Sequence, residues 1–152
     1  MMSRLLLPDP EPIIFTLELE VTQDYINAAK HVANQSYVIL FNKAAEAFFE
    51  SRGVHPYTVN QQVLMNTEFS VQIKSEVRLS DKISIVIGVD NFHRCGCDFI
   101  YRMSNSITHD LLARARFSYL CFDYQAGSLV DATQGFRRFF TGAESDEPIR
   151  RN

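Results

Sequence analysis

The sequence has no tryptophan, only six glycines and only three cysteines among its 152 residues. Because Cys95, Cys97 and Cys121 are an odd number, they cannot all pair within the chain, and this count favours a reducing compartment. The Cys95 and Cys97 thiols would need further ligands to hold a metal ion, and His93 is the only obvious candidate nearby. We therefore expect free thiols, no metal, no other cofactor and a cytoplasmic location.

Long apolar runs and an excess of basic residues are also missing. The longest apolar stretches fall far short of the roughly 20 residues that span a bilayer, and residues 5–7 are too few for the core of a signal peptide. The net charge is −3, whereas nucleic-acid-binding domains normally carry a basic stripe. The sequence therefore predicts neither a membrane span nor a nucleic-acid partner.

Two groups of motifs with known chemistry are absent. No Gly-x-Ser-x-Gly segment occurs, which excludes the nucleophile turn of an α/β-hydrolase. No glycine-rich phosphate-binding loop occurs either.

The sequence does contain enough apolar material for a core. Hydrophobic residues make up 46% of the chain, with twelve Phe and six Tyr, and the length suits one domain over residues 1–152. Three prolines predict an extended lead-in over residues 1–12. The charged residues 144–152 predict a mobile tail.

Periodicity predicts one strand, one long helix and four further strands. Apolar and polar residues alternate from Ile14 to Val21, which is typical of a half-buried strand, and a polar, irregular stretch follows. Residues 35–52 follow the helical period, are apolar over most of the circumference and end before Gly53, a residue suited to the position after a helix. Later segments with strand periodicity are 69–79, 83–89, 97–103 and 111–124, and residues 134–140 are predicted to form a short closing helix.

A helix this apolar must be buried on most sides, and about five antiparallel strands are available to cover it. The pattern favours an α+β fold in which a strongly curved antiparallel sheet wraps around one long central helix. A flat α+β sandwich fits the same periodicity.

The segment from Asn27 to Tyr37, NAAKHVANQSY, lies between the first strand and the apolar helix. It resembles a signature of hotdog-fold thioesterases, most closely the acyl-CoA thioesterases of the 4-hydroxybenzoyl-CoA thioesterase type. That signature runs roughly Asp-x-x-Gly-His-Val-Asn-Asn-x-x-Tyr, and His31, Val32, Asn34 and Tyr37 match it. The segments LSDKISIVIGV and ARARFSYLCFD resemble later strands of the family, so the resemblance covers nearly the whole chain.

The resemblance implies a hotdog fold and hydrolysis of acyl thioesters. It implies that the backbone N–H of Asn34, at the start of the helix, stabilises the oxyanion, and that Tyr37 contacts the substrate. Three positions depart from the pattern: Asn27 stands where the family has its catalytic Asp, Lys30 where it has Gly, and Ala33 where it has Asn. Since Asn is a poor base or nucleophile, we expect Asn27 to orient the attacking water or the carbonyl.

Three other residues are candidates for the missing charge or base. Asp24 supplies a carboxylate if the turn brings it inward, and is otherwise a solvated turn residue. His31 has the side chain best suited to proton transfer near neutral pH, although in the family it resembles a residue that braces the turn. Glu46 lies on the polar strip of the helix, where related hotdog enzymes carry a catalytic carboxylate; the alternative is a surface or interface carboxylate.

Basic pairs are candidates for holding phosphate. Arg137 and Arg138, and also Arg114 and Arg116, could contact the phosphates of coenzyme A or of a carrier-protein phosphopantetheine. The alternative is that these side chains are simply solvated.

Three functions fit the sequence. The leading one is an acyl-CoA or acyl-carrier-protein thioesterase, and the second is a non-catalytic hotdog module that binds acyl chains or serves in an assembly, which Asn27 favours. The third, a hydratase or dehydratase, calls for Asp-x-Asn-Pro-x-His or for a His paired with a helix Glu, and Ile26 lies five residues before His31, where the first arrangement needs Asp. Open sheet edges favour association with another chain, and the family that this sequence resembles forms dimers and tetramers. We therefore expect a homodimer or homotetramer, with the active site near the subunit interface.

Overall fold

The computed structural model of the protein describes residues 6–142. Five long strands, two strands of two residues, two α-helices and one short 3-10 helix make up its regular structure. In chain order these are β1 Ile13–Glu20, the 3-10 helix Gln23–Tyr25, α1 Asn34–Ser51, β2 Thr58–Val59, β3 Gln62–Ile73, β4 Lys82–His93, β5 Gly96–Asn105, β6 Leu111–Asp123, β7 Ser128–Leu129 and α2 Phe136–Thr141.

All strands belong to one antiparallel sheet. Its order is β1-β4-β5-β6-β3-β2, and β7 pairs with the end of β6. Helix α1 is the central element: its Phe48 ring contacts Phe15 on β1, and its Phe41 ring contacts both Tyr101 on β5 and Phe117 on β6. A single helix can reach strands this far apart only when the sheet curls around it. The predicted α+β hotdog architecture is therefore confirmed, and the flat sandwich is not.

Helix α1 follows from its sequence. Its apolar side chains cover most of the circumference, and eight of its eighteen residues are buried. Gly53, just beyond the end of the helix, has a φ of 72°, the left-handed conformation that glycine adopts without steric cost. The predicted helix was therefore correct to within one residue at each end.

The position of β3 differs from the prediction. The strand expected over 69–79 runs over Gln62–Ile73, and Val77 lies outside it. The reason is pairing: Val63 to Ile73 match Phe122 to Ala113 on β6, whereas the carbonyl of Val77 accepts a hydrogen bond from the N–H of Val32 (2.8 Å). The two short strands were not predicted. The tail 144–152 and residues 1–5 of the lead-in lie outside the described residues.

The three cysteines are free thiols, and Cys97 and Cys121 lie in the core. Burial raises the pKa of Cys121 to about 12, so this thiol stays protonated at neutral pH. Over residues 6–142 no helix has both the length and the apolar character needed to cross a membrane.

The lead-in segment crosses the face of the sheet opposite α1. Pro10 packs against Gly88 on β4, where even a Cβ atom would lie only 2.9 Å from the proline Cβ. Asp9 contacts Arg102 on β5 and Arg114 on β6, each at 3.0 Å, and the N–H of Leu7 donates to Gln72 Oε1 on β3 (2.9 Å). We call residues 7–10 the strap, because they tie β4, β5, β6 and β3 together from outside.

Asp9 neutralises two like charges. Arg102 and Arg114 are direct cross-strand partners, and such a pair is destabilising without an anion between them. The hydrogen bond from Arg114 is the largest cause of a lowered pKa at Asp9. A lowered pKa in the folded state means that this stabilisation is present above about pH 4, the unfolded value, and is lost as the pH falls through the folded value.

We expect Asp9→Asn to lower the free energy of unfolding at pH 7 by about 1 kcal/mol or less, because solvent screens this half-exposed carboxylate. The difference from the wild type should shrink as the pH falls toward about 3. Urea titrations at the two pH values measure both effects. Glu20→Gln is the matched control, since Glu20 is exposed and makes no ion pair within residues 6–142. Equal losses in the two variants would contradict the role assigned to Asp9.

Candidate active site

The segment between β1 and α1 folds back on itself as a short antiparallel ladder. The N–H of Asn27 donates to the carbonyl of His31 (2.9 Å), Ile26 pairs with Val32, and the N–H of Ala33 donates to the carbonyl of Tyr25 (3.0 Å). We call residues 27–31 the signature loop. The ladder fixes this loop beside the start of α1.

The side chain of Asn27 holds the signature loop closed. Its Oδ1 accepts hydrogen bonds from the N–H groups of Ala29 (3.0 Å) and His31 (3.2 Å). Lys30 has a φ of 64°, a conformation in which most residues other than glycine are strained. This backbone geometry explains why the resembling family carries Gly at the position of Lys30. Asn27 is therefore a structural clamp, whatever else it does.

The first turn of α1 has no cap. Ala33 occupies the N-cap position without a side chain that could accept a hydrogen bond, and the first turn contains no acidic residue. Within the described residues, the N–H groups of Asn34 and Gln35 have no hydrogen-bond partner. Unpaired N–H groups and the partial positive charge of a helix start together favour a negatively charged oxygen.

Asn27 and Asn34 are separated by the length of the ladder. Because residue 27 lies opposite residue 31, and residue 25 opposite residue 33, Asn34 lies three register steps from Asn27, or about 10 Å along the strand direction. Asp24, on the 3-10 helix next to Tyr25, is exposed and contributes to the raised pKa of Lys43, of which a hydrogen bond with Tyr25 is the largest cause.

His31 has a partner that the sequence did not reveal. Its Nε2 lies 3.4 Å from Oε2 of Glu76, and the backbones of His31 and Arg78 form an antiparallel bridge. Glu76 is 45 residues away in the chain and belongs to a segment that was interpreted as a continuing strand. No sequence pattern connects the two residues.

Tyr37 lies in the core, with only 2% of its surface exposed. Burial is the main cause of its raised pKa, which a hydrogen bond to the backbone of Val77 partly offsets. In this conformation the ring offers no open surface to a ligand, and the predicted contact with substrate stays a prediction.

Three other predicted residues lie far from the start of α1. Glu46 is twelve residues further along the helix, about 18 Å away along its axis, where its charge contributes to the raised pKa of Tyr57, a shift due mainly to burial. Arg137 and Arg138 are on α2, whose Phe140 packs against Phe48, about 20 Å along the axis from Asn34. Within one chain these groups cannot contact a carbonyl held at Asn34.

The surroundings of the two arginines on α2 differ. The guanidinium of Arg137 lies over the Phe92 ring, 5.2 Å from its centre. Arg138 lines an open cleft of about 470 Å³ together with Arg52, Asn60 and Gln134. Of the other basic pair, Arg114 binds Asp9 and Arg116 lies 3.8 Å from Asp98, so both face acidic groups of the chain itself.

Solved structures share this fold. A 1,4-dihydroxy-2-naphthoyl-CoA thioesterase from Synechocystis superposes with a TM-score of 0.74 at 16% identity, over 88% of this chain and 98% of that one. A hypothetical protein from Staphylococcus aureus, solved in complex with CoA, superposes with a TM-score of 0.74 at 14% identity, over 92% of this chain and 87% of that one. At these identities the similarity establishes the fold.

No curated protein matches the chain. The sequence profile of the thioesterase-like superfamily matches residues 21–140, which include the signature loop, α1 and all five strands from β2 to β6. The chain thus belongs to the thioesterase-like superfamily.

Proposed function

We propose that this protein hydrolyses acyl thioesters of coenzyme A or of an acyl carrier protein. The observation that carries the proposal is the uncapped start of α1, where the N–H groups of Asn34 and Gln35 are unpaired beside the signature loop. A tetrahedral intermediate of thioester hydrolysis needs such donors for its negatively charged oxygen. Membership of the thioesterase-like superfamily supports the same reaction.

The proposed reaction uses water as the nucleophile. The oxygen of water bonds to the thioester carbon while the carbonyl electron pair moves to oxygen, which the N–H of Asn34 stabilises. The carbonyl then re-forms, the carbon–sulfur bond breaks, and the thiol and the carboxylic acid leave. In this scheme Asn27 orients the water or the carbonyl through the part of its carboxamide that does not clamp the loop.

The group that carries the acyl chain is proposed from the ligands of similar structures and from the basic residues of this chain. One of these was solved with CoA bound and another is a CoA thioesterase, which supports a coenzyme A thioester over other thioesters. Arg137 and Arg138 are candidates for the phosphates, and Tyr37 for the acyl group after a local rearrangement. Because both arginines are remote from Asn34 in one chain, we propose that a second subunit supplies them, and likewise Glu46.

The open edge of β3 supports a homodimer or homotetramer. Among residues 6–142 no strand other than the short β2 pairs with this edge, and β3 exposes Phe69 and Ile73. Unpaired backbone groups beside apolar side chains favour pairing with another strand. We propose that a second copy of the chain pairs along this edge of β3. We also propose that the protein is a single-domain cytoplasmic enzyme of the 4-hydroxybenzoyl-CoA thioesterase type.

An assay with a panel of acyl-CoAs and a thiol reagent tests the reaction. The purified protein should release coenzyme A from at least one acyl chain length. If no acyl-CoA and no corresponding acyl-carrier-protein substrate is hydrolysed, the thioesterase proposal is wrong.

Asn27→Asp separates an enzyme from its non-catalytic alternative. An Asp oxygen can accept the same two N–H bonds, so we expect the loop to stay closed and kcat to change by less than about tenfold. Rates of wild type and variant on the best acyl-CoA measure this, with Asn27→Ala as the variant that removes the clamp. Activity that appears only in Asn27→Asp would mean that the native protein binds acyl chains without hydrolysing them.

The second candidate function is that acyl-binding or assembly role. It is favoured by one specific observation: both hydrogen bonds of the Asn27 side chain within the described residues go to its own loop.

A further inference from the structure

We propose that Glu76 is a positioning residue that orients His31 as the general base of the reaction. This inference rests on the proposed thioesterase function and deepens it. It assigns to His31 the proton transfer that an amide at position 27 cannot perform. It also adds a residue that lies outside the signature segment.

The contact joins two elements that meet only in the fold. His31 Nε2 lies 3.4 Å from Glu76 Oε2, within ion-pair distance, and from this contact we infer that the neutral imidazole carries its proton on Nε2, toward the carboxylate. The other ring nitrogen, Nδ1, makes no hydrogen bond within residues 6–142 and retains its lone pair. A carboxylate on one ring nitrogen and a free lone pair on the other is the arrangement that a general base requires.

The backbone fixes this contact, which distinguishes it from an ordinary surface ion pair. Val32 donates its N–H to the carbonyl of Val77, and His31 and Arg78 form a backbone bridge, so Glu76 is held beside the histidine. On the other side, Asn27 accepts the N–H of His31 and donates to its carbonyl. The backbone is therefore held at both edges of the loop, so only the side-chain torsions of His31 and Glu76 remain to be ordered when the pair forms.

Arg78 completes the cluster without displacing His31. Its Nη2 lies 3.5 Å from the same Glu76 oxygen, and its backbone N–H donates to Asp81 Oδ2 (2.9 Å). The guanidinium adds a positive charge beside the Glu76 carboxylate and leaves the side that faces His31 open to the imidazole. Glu76 is also close enough to Tyr37 for its charge to contribute to the raised pKa of that phenol, after burial.

In the proposed step, one proton moves from the attacking water to His31 and then to the leaving sulfur. Nδ1 of His31 takes one proton from the attacking water as its oxygen bonds to the thioester carbon, and Glu76 stabilises the imidazolium that forms. When the tetrahedral intermediate collapses, the carbon–sulfur bond breaks and the same proton passes from Nδ1 to the leaving sulfur. Neutral His31, a thiol and a carboxylic acid result.

The test compares Glu76→Ala with the wild type in two measurements. On the best acyl-CoA we expect kcat to fall about tenfold to a hundredfold with KM changed less than about twofold, because orientation of the base matters in the transition state. His31→Gln should fall at least as far, and the double variant no further. Glu76→Asp should recover part of the rate. Glu18→Ala, an exposed carboxylate on β1, is the matched control and should keep the wild-type rate.

The second measurement does not depend on activity. The ¹⁵N shifts of the His31 imidazole, assigned with His31→Gln, should show the proton on Nε2 in the wild type and a mixture of tautomers in Glu76→Ala. An active wild type with Glu76→Ala as fast as Glu18→Ala would overturn the role of Glu76 and leave the thioesterase proposal standing. A wild type inactive on all acyl thioesters would overturn both, even with the tautomer as expected.

Discussion

Replacing Asn34 by proline is expected to lower kcat about 100- to 1,000-fold without unfolding helix α1. The substitution removes the one backbone N–H assigned to the oxyanion, and loss of a single oxyanion donor costs about this much. Proline is well suited to the site because Asn34 is the first residue of the helix. Ala33 before it has φ −68° and ψ 151°, an extended conformation that a following proline permits.

Asn34→Ala is the control for this experiment, since it removes the side chain and keeps the N–H. Its rate should stay within a few-fold of the wild type. Steady-state kinetics on the best acyl-CoA, with far-UV circular dichroism to follow the helix, separate the two variants. A proline variant that is folded and as fast as the alanine variant would move the oxyanion site away from Asn34.

Replacing Phe48 by alanine should destabilise the protein by about 3–5 kcal/mol. The side chain is fully buried, and its loss leaves a cavity between the sheet and the two helices. Its ring contacts Phe15 at 6.0 Å, Phe49 at 5.3 Å and Phe140 at 5.9 Å between ring centres. The variant should therefore also loosen the packing of α2.

Urea unfolding followed by circular dichroism measures this loss. Ile107→Ala is the control: Ile107 lies in the turn between β5 and β6 with 72% of its surface exposed, and its removal should cost less than about 0.5 kcal/mol. Similar losses for both variants would show that the aromatic cluster around Phe48 does not anchor the core.

The elements with the strongest local signals were predictable from sequence. Helix α1 needed only its apolar period and Gly53, both of which are local. β3 was misplaced because the apolar alternation of Val71 and Ile73 resumes at Val77, while pairing with β6 instead includes residues 62–68, in which the polar residues 66–68 interrupt the alternation. An edge strand tolerates polar side chains, so burial patterns describe it poorly.

In the candidate site, too, residues close in sequence were predictable and contacts between distant segments were not. The placing of Asn27, His31 and Asn34 in one segment needed no tertiary information, because they lie within eight residues of each other, but the ladder keeps Asn27 about 10 Å from Asn34. The contact of Glu76 with His31 and the distance of Arg138 from Asn34 depend on how distant segments pack. Period and propensity carry no information about such pairs.

The strap imposes an order on the assembly of the chain. Asp9 leaves the ribosome long before its partners, and 105 residues separate it from Arg114. β1 likewise waits for β4, and β3 waits for β6. During synthesis, β1 can therefore pair once β4 has emerged, whereas β3 remains without its partner until β6 has emerged, and contacts this distant in sequence slow folding. We expect nascent chains that stop before β6 to depend on chaperones, since their aromatic helix has no complete sheet to enclose it.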